Sequence, residues 1–322
     1  MVLIAGIPSE PPVQLALESL QKLQIPFLML NQRKFKKAHL QWSLNEGVVD
    51  GVLTYQGKAY SLSEFTGVYI RFMDEQSLPE LKGLPASHKD VAYFQQLQAT
   101  LIDWMEVADC KVVNRYSAMA SNNSKSYQSL LIAQTGFRVP TTLITNQPEE
   151  VESFLQEHDE IIYKSISGIR SIVKKFDDAD QKRIGKIKNC PIQFQHCVKG
   201  FDVRVHVIGD TATATRVDSS DTDYRYYDQD EGYTVLNEFE LPPDVHYHCL
   251  ELARHLSLDF CGIDLRFPNE ESDTGSLPWC FEVNPCPGYS YYQKNTGQTI
   301  SDILAAYLGN HNYYYQESYN LT

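Results

Sequence analysis

Residues 279–285 read WCFEVNP. In an extended strand successive side chains leave on opposite faces, so Phe281 and Val283 are expected in a core, with Glu282 and Asn284 together on the other face. A carboxylate and an amide oxygen side by side are hard donors of the kind Mg²⁺ takes. CGIDLRF, residues 261–267, repeats the pattern: Ile263 and Leu265 turn one way and Asp264 the other. If the two segments pair, Asp264, Glu282 and Asn284 form one group of three oxygen donors, two of them anionic, and such a group calls for a cation. The competing expectation is an Asp264–Arg266 ion pair with the other two side chains solvated. It weakens because both segments carry an acid amid apolar neighbours.

FDVRVHVIGD, residues 201–210, works the same way. Val203, Val205 and Val207 share one face; Asp202, Arg204 and His206 share the other, which lines either solvent or a ligand cleft. Periodicity alone favours solvent. Arg216 ends TATATR on the next strand and could join Arg204, a pair suited to a transferring phosphoryl group because the guanidinium fork binds phosphate bidentately. Lys164 lies in EIIYKSI, just before the loop SGIRS at 167–171, whose backbone N–H groups can wrap a phosphate. Lys125 falls in the first turn of an expected helix, where anions are attracted. Taken singly, each lysine is accounted for as well by a solvated surface charge. GxxxxGK[ST], GxSxG and HExxH are all absent, and no cysteine has a helper histidine at useful spacing.

The chain has 322 residues, 43% hydrophobic and 21% charged, with a net charge of -13. It is long enough for two or three lobes. The acidic balance disfavours nonspecific attraction to nucleic acid or anionic membranes. The opening MVLIAGIPSEPP is not expected to be a signal peptide, and no apolar run approaches the ~20 residues that span a bilayer. Seven scattered cysteines without a CxxC pair fit reduced thiols and a cytoplasmic location.

Element order points to an α/β (α+β) chain. Val2–Gly6, a helix carrying Val13, Leu17 and Leu20, and Phe27–Leu30 make a βαβ start. GVLTYQGKAYSLSEF is expected to be a hairpin about Gln56–Gly57. VYIRF is a further strand, and Phe94 to Ala108 a long amphipathic helix. After KVVN comes a helix with Tyr127, Leu130 and Leu131 on one face, then VPTTLIT, a helix capped by Asn146, EIIYKSI and SIVKKF. Three strand-like runs follow between 191 and 217, a helix about Val245–Leu256, the two acid-bearing strands, and a last helix ending at Gly309. Boundaries are expected to leave an α/β domain at 1–110, a first lobe at 111–198 and a C-terminal lobe with the metal site at 199–322.

In this order the segments NRYSAMASNNSKSYQSLLIAQTGFRVPTTLITN, IIYKSISGIRSIV, PIQFQHCVKGFDVRVHVIGD, CGIDLRF and WCFEVNPCPGYSYYQKNTGQTISDILAAYL resemble the ATP-grasp superfamily, and within it the RimK-type ligases. The likeness covers roughly 111–308. The first third is similar, more loosely, to the pre-ATP-grasp domain of these ligases, and GVYIRFMDE resembles a strand-then-arginine segment of the microviridin-type (graspetide) peptide ligases. The resemblance implies that Lys125 and Lys164 hold the ATP phosphates, with the loop from Ser165 through Ser167 and Gly168 to Ser171 closing over them. Gln195, Cys197 and Val198 would form the hinge against adenine and Asp202 would help hold the nucleotide. Asp264, Glu282 and Asn284 would bind two Mg²⁺ ions, or Mn²⁺. Arg204 and Arg216 would face the γ-phosphate and acyl phosphate; Arg71 and Arg225 would meet substrate. His196 departs from the acid that relatives often carry before the hinge. The activity implied is ADP-forming activation of a carboxylate as an acyl phosphate, passed to an amine or hydroxyl on a peptide, protein or amino acid. A small-molecule amino acid ligase and a non-catalytic ATP-binding module are the alternatives, and the dimers and tetramers of RimK-like relatives suggest a homo-oligomer.

Overall fold

The computed structural model describes residues 1–166, 173–219, 234–269 and 277–310. The chain opens with β1 (Val2–Gly6), α1 (Pro11–Lys22) and β2 (Phe27–Asn31). All five residues of β1 are buried, as a central strand covered on both faces must be. An antiparallel sheet follows: β3 (Ala38–Asn45), β4 (Val48–Tyr55) and β5 (Lys58–Ser61). Its second turn is Gln56–Gly57, with φ of 51° and 81°, the left-handed pair that suits a two-residue hairpin. Next come β6 (Gly67–Arg71), α2 (Lys89–Val107) and β7 (Lys111–Val113). β6 and β7 return to β1, giving a parallel sheet in the order β2-β1-β6-β7.

α3 (Tyr116–Met119) and α4 (Lys125–Gln134) lead into a middle antiparallel sheet. That sheet comprises β8 (Thr142–Thr145), β9 (Ile161–Lys164), β10 (Lys174–Lys175) and β11 (Ile192–His196), with α5 (Pro148–Glu157) and α6 (Asp178–Gln181) between strands. Val151, Phe154, Ile161, Ile187 and Phe194 form its core. The last sheet is antiparallel too. It takes β12 (Phe201–Ile208), β13 (Thr211–Ser219), β14 (Thr234–Glu238), β15 (Phe260–Phe267) and β16 (Trp279–Asn284), ordered β14-β13-β12-β15-β16. α7 (Pro243–His255) covers one face, packing Val245, Cys249 and Leu252 on Val203, Val205 and Val207.

α8 (Ser290–Thr296) and α9 (Ile300–Leu308) close the fold. α9 is buried nearly all round, because it sits between the first and last sheets. Its Ile300, Ile303 and Leu304 share a core with Val2 and Ile4 of β1 and with Ile208 of β12. Gly67 lets it come close: a Cβ there would stand 2.5 Å from the Leu308 carbonyl oxygen.

Three local expectations are corrected. Tyr127 and Leu130 lie outward, 54% and 65% exposed; Gln128 and Ile132 are the buried side of α4. Gln147 rather than Asn146 is the N-cap of α5. Phe281 does not enter the core. The β15–β16 ladder shifts between Asp264 and Leu265, so Asp264 faces Glu282 while Leu265 faces Cys280. Phe281 is the bulged residue, and Cys280 takes the buried place.

Candidate active site

The middle sheet and the last sheet face each other across a cleft. Lys164, Gln195, Cys197 and Val198 line it from one side; Asp202, Arg204, Asp264, Arg266, Phe281 and Glu282 line it from the other. The acid-bearing strands are neighbours, with Asp264 directly opposite Glu282 and Asn284 opposite Gly262. By strand alternation the three side chains share one face.

Each acid has a cationic partner. Arg204 Nη1 donates to Asp264 Oδ1 at 2.6 Å, and Lys125 Nζ lies 3.1 Å from Glu282 Oε2 while donating to Asn122 Oδ1 at 2.8 Å. Asn284 Oδ1 accepts from the Cys286 N–H at 2.9 Å. Arg204 is buried, and its guanidinium lies over Gly262, the one residue type that leaves room for it. A Cβ at Gly262 would stand 2.6 Å from Arg204 Nε and closer still to Cζ and Nη2. Tyr292 offers its ring to the same guanidinium, 5.8 Å away. His206, two residues along β12, is fully buried; burial first, then the Arg204 charge, hold its imidazole well below its usual pKa, so it is neutral.

Lys125 owes its place to a residue the sequence reading passed over. Gln128, one turn later in α4, donates to the Val283 carbonyl at 2.8 Å and accepts from the Val283 N–H at 3.0 Å. This buried amide stitches α4 to β16 and sets Lys125 beside Glu282. Arg266, considered in the sequence only as a partner for Asp264, has another role. It forms a bidentate pair with Asp202, at 2.7 and 2.8 Å, and donates to the Val198 carbonyl at 3.0 Å. Burial opposes its charge, but the Asp202 hydrogen bond and field outweigh burial and hold the guanidinium above its ordinary pKa. Hence Asp264 pairs with Arg204 and not with Arg266. Asn114 was also passed over. Its amide bonds both backbone groups of Phe260 and the Pro285 carbonyl, tying the strand before α3 to the turn after β16.

Arg216 does not join Arg204. It stands opposite Val203 in the β12–β13 ladder, whereas Arg204 stands opposite Thr215, so it projects from the other face. There its Nε donates to both carboxylate oxygens of Asp218, at 2.9 and 3.1 Å, and its guanidinium stacks over Phe201 at 4.2 Å. Ser167, Gly168, Ser171 and Arg225 lie outside the described residues. Arg71 sits away from the cleft, in a second cavity between the first sheet and the turn after β16. At the hinge, the Cys197 N–H donates to the Glu160 carbonyl. His196 turns from the cleft and stacks on His158.

Among the described residues no group of three His, Cys, Asp or Glu side chains is gathered for a metal. Two carboxylates and an amide still suit Mg²⁺, which is usually held by one or two carboxylates together with substrate phosphates and water.

Two antiparallel sheets gripping a cleft, with opposed acids on adjacent strands of one and a lysine on the other, define an ATP-grasp class of architecture. Residues 120–308, more than half of the chain, match the RimK-like ATP-grasp domain. The chain belongs to the RimK-like ATP-grasp family, a family of ADP-forming ligases. Its fold is shared with a RiPP-associated ATP-grasp ligase of Chryseobacterium gregarium, solved with ADP and a leader and core peptide (TM-score 0.76, 21% identity, 96% of each chain). It is also shared with the ATP-grasp ligase PsnB, solved with a phosphomimetic variant of a minimal precursor, Mg and ADP (TM-score 0.72, 23% identity, 95% of this chain and 97% of that one). A probable alpha-L-glutamate ligase of Vibrio atlanticus is 20% identical over 251 residues, 74% of this chain and 79% of that one. Among the described residues no helix is long and apolar enough to cross a membrane.

Proposed function

We propose that this chain uses ATP and Mg²⁺ to convert a carboxylate of a peptide or protein into an acyl phosphate, which it passes to an amine or hydroxyl. The observation that carries the reading is the pair of opposed acids, Asp264 and Glu282, each held by a cation at the edge of the cleft. Asp264, Glu282 and Asn284 would hold two Mg²⁺ ions, which supply charge neutralisation on the phosphates. Lys125 and Lys164 would take phosphate oxygens, and Arg204, already aimed at the acids, the γ-phosphoryl group in transfer. Arg266 fixes Asp202 and the Val198 carbonyl, leaving the Cys197 carbonyl and Val198 N–H as the edge that reads adenine beside Gln195. The enzyme positions and neutralises; it contributes no covalent nucleophile.

The peptide substrate is supported by the two peptide-bound neighbours that share the fold along almost the whole chain. A free amino acid is the second reading, favoured by the glutamate-ligase relative. A screen of ADP release over acidic peptides and free amino acids separates them. Release with peptides alone supports the first and release with amino acids alone the second. ATP binding without ADP release in any pool refutes both.

A further inference from the structure

The second cavity has a chemistry of its own. It opens at the carboxyl ends of β1 and β6, where open parallel sheets bind ligands, and its far wall is the turn 285–287. That turn is tied to β16 through the Cys286 N–H to Asn284 Oδ1 bond, so the cavity's far wall begins one residue beyond the candidate metal ligand Asn284. Arg71 spans it. Its Nε donates to Glu10 Oε1 at 2.7 Å, and its Nη1 lies 3.1 Å from Cys286 Sγ and 3.2 Å from the Pro287 carbonyl oxygen. The second carboxylate oxygen, Glu10 Oε2, is shielded from solvent and has no hydrogen-bond partner among the described residues. A buried carboxylate oxygen left unmatched is costly and points to a ligand that completes it.

The charges around it say which ligand. Glu10, Asp74 and Arg71 are the charged residues lining the cavity, so acid exceeds base. The tyrosines around it are neutral: burial above all raises Tyr69, Tyr116 and Tyr289 from their usual values. An acid-rich, half-closed cavity suits an ammonium group and repels a carboxylate.

We propose, resting on the ligase reading above, that this cavity seats the acceptor as an amine and that Glu10 Oε2 takes the proton which frees its lone pair. The amine nitrogen then attacks the acyl carbon. The new C–N bond forms, and the C–O bond to phosphate breaks with its electron pair leaving on phosphate. The remaining extra proton on nitrogen goes to the departing phosphate, and Glu10 returns its proton to solvent. The product is an amide, and the acceptor is an amine rather than a hydroxyl.

The test sets Glu10→Gln against two nucleophiles, with ATP, Mg²⁺, and L-glutamate and a synthetic glutamate-rich peptide as carboxylates. Gln keeps an oxygen for Arg71 Nε but cannot take the proton. Hydroxylamine is already unprotonated at neutral pH and needs no base. Amide formation with cadaverine or L-lysine amide as the amine is expected to fall ~100-fold or more, while hydroxamate formation changes by less than about threefold. Retained hydroxamate formation also shows that the variant folds, and Glu10→Asp restores part of the amide rate. Amide formation near the wild-type rate in Glu10→Gln, equal loss with both nucleophiles, or wild-type transfer to seryl hydroxyls in preference to amines overturns the proposal and leaves the ligase reading standing. Wild-type protein that yields neither ADP nor hydroxamate overturns the ligase reading and this inference with it.

Discussion

Gly262 lies in the middle of β15, where glycine is a poor strand former, and its reason is Arg204. A methyl at position 262 would stand 2.6 Å from Nε and nearer to Cζ and Nη2, against 3.4 Å for ordinary contact. The backbone of β15 is held by ladders on both sides, so in Gly262→Ala the flexible end of Arg204 has to yield by ~1 Å or more. That breaks its 2.6 Å bond to Asp264. A misplacement of ~1 Å at a reacting centre is worth ~100-fold in rate. Overpacking by one methyl with a flexible neighbour costs only ~1–2 kcal/mol of stability. The expectation is therefore a split: kcat for ADP release down ~100-fold, affinity for a non-hydrolysable ATP analogue within about threefold, and a Tm lower by only a few degrees. Steady-state kinetics, analogue titration and thermal unfolding measure the three. Gly185→Ala is the control, since nothing lies within 4 Å of a Cβ there. A folded Gly262→Ala enzyme with near-wild-type kcat would show that the guanidinium need not sit over Gly262 against Asp264, and the role given to Arg204 would be lost.

Asp264→Ala or Glu282→Ala should abolish ADP release while leaving the protein folded, because the remaining acid and Asn284 make too weak a metal set; near-normal turnover in either variant contradicts the site. Arg266→Lys keeps the charge but cannot bridge Asp202 and the Val198 carbonyl together, so KM for ATP should rise ~10-fold with kcat little changed; an unchanged KM removes Arg266 from the nucleotide wall. His206 is neutral in the folded protein because burial lowers its pKa, whereas in the unfolded chain it titrates near ~6.5. The unfolded state therefore binds the extra proton as pH falls below ~6.5, and stability declines by up to ~1.4 kcal/mol per pH unit from this residue. Urea unfolding across that range should give a shallower decline in His206→Leu, and equal slopes would refute the assignment.

Much of the site was legible from the period-two alternation of β12, β15 and β16. That alternation separates Val203, Val205 and Ile263 from Arg204, Asp264 and Glu282 before any contact is known. It cannot see a bulge, because one inserted residue leaves the composition of a strand unchanged, and so Phe281 was expected on the wrong side. Arg216 is a different failure, since the signal was present. Gly209–Asp210 is a two-residue turn that pairs Ile208 with Thr211; counting outward sets Arg204 against Thr215 and puts Arg216 on the opposite face. Gln128, Asn114 and Glu10 gave no such signal, because each acts through contacts more than a hundred residues away or, for Glu10, 61 residues away at the end of a neighbouring strand.

The ion pairs carry a further regularity. β12 and β15 both contain Asp-x-Arg, at 202–204 and 264–266. Run antiparallel, the two motifs set Asp202 against Arg266 and Arg204 against Asp264, and both pairs form. A slip of one residue would turn every valine of β12 outward. A slip of two would oppose Asp202 to Asp264 in one direction and Arg204 to Arg266 in the other, and like charges directly across a ladder destabilise it. The charges that equip the cleft thus also select the one β12–β15 register in which Arg204 meets Asp264. Neither aspartate takes the arginine two residues along its own strand; the neighbouring strand supplies each partner from across the ladder.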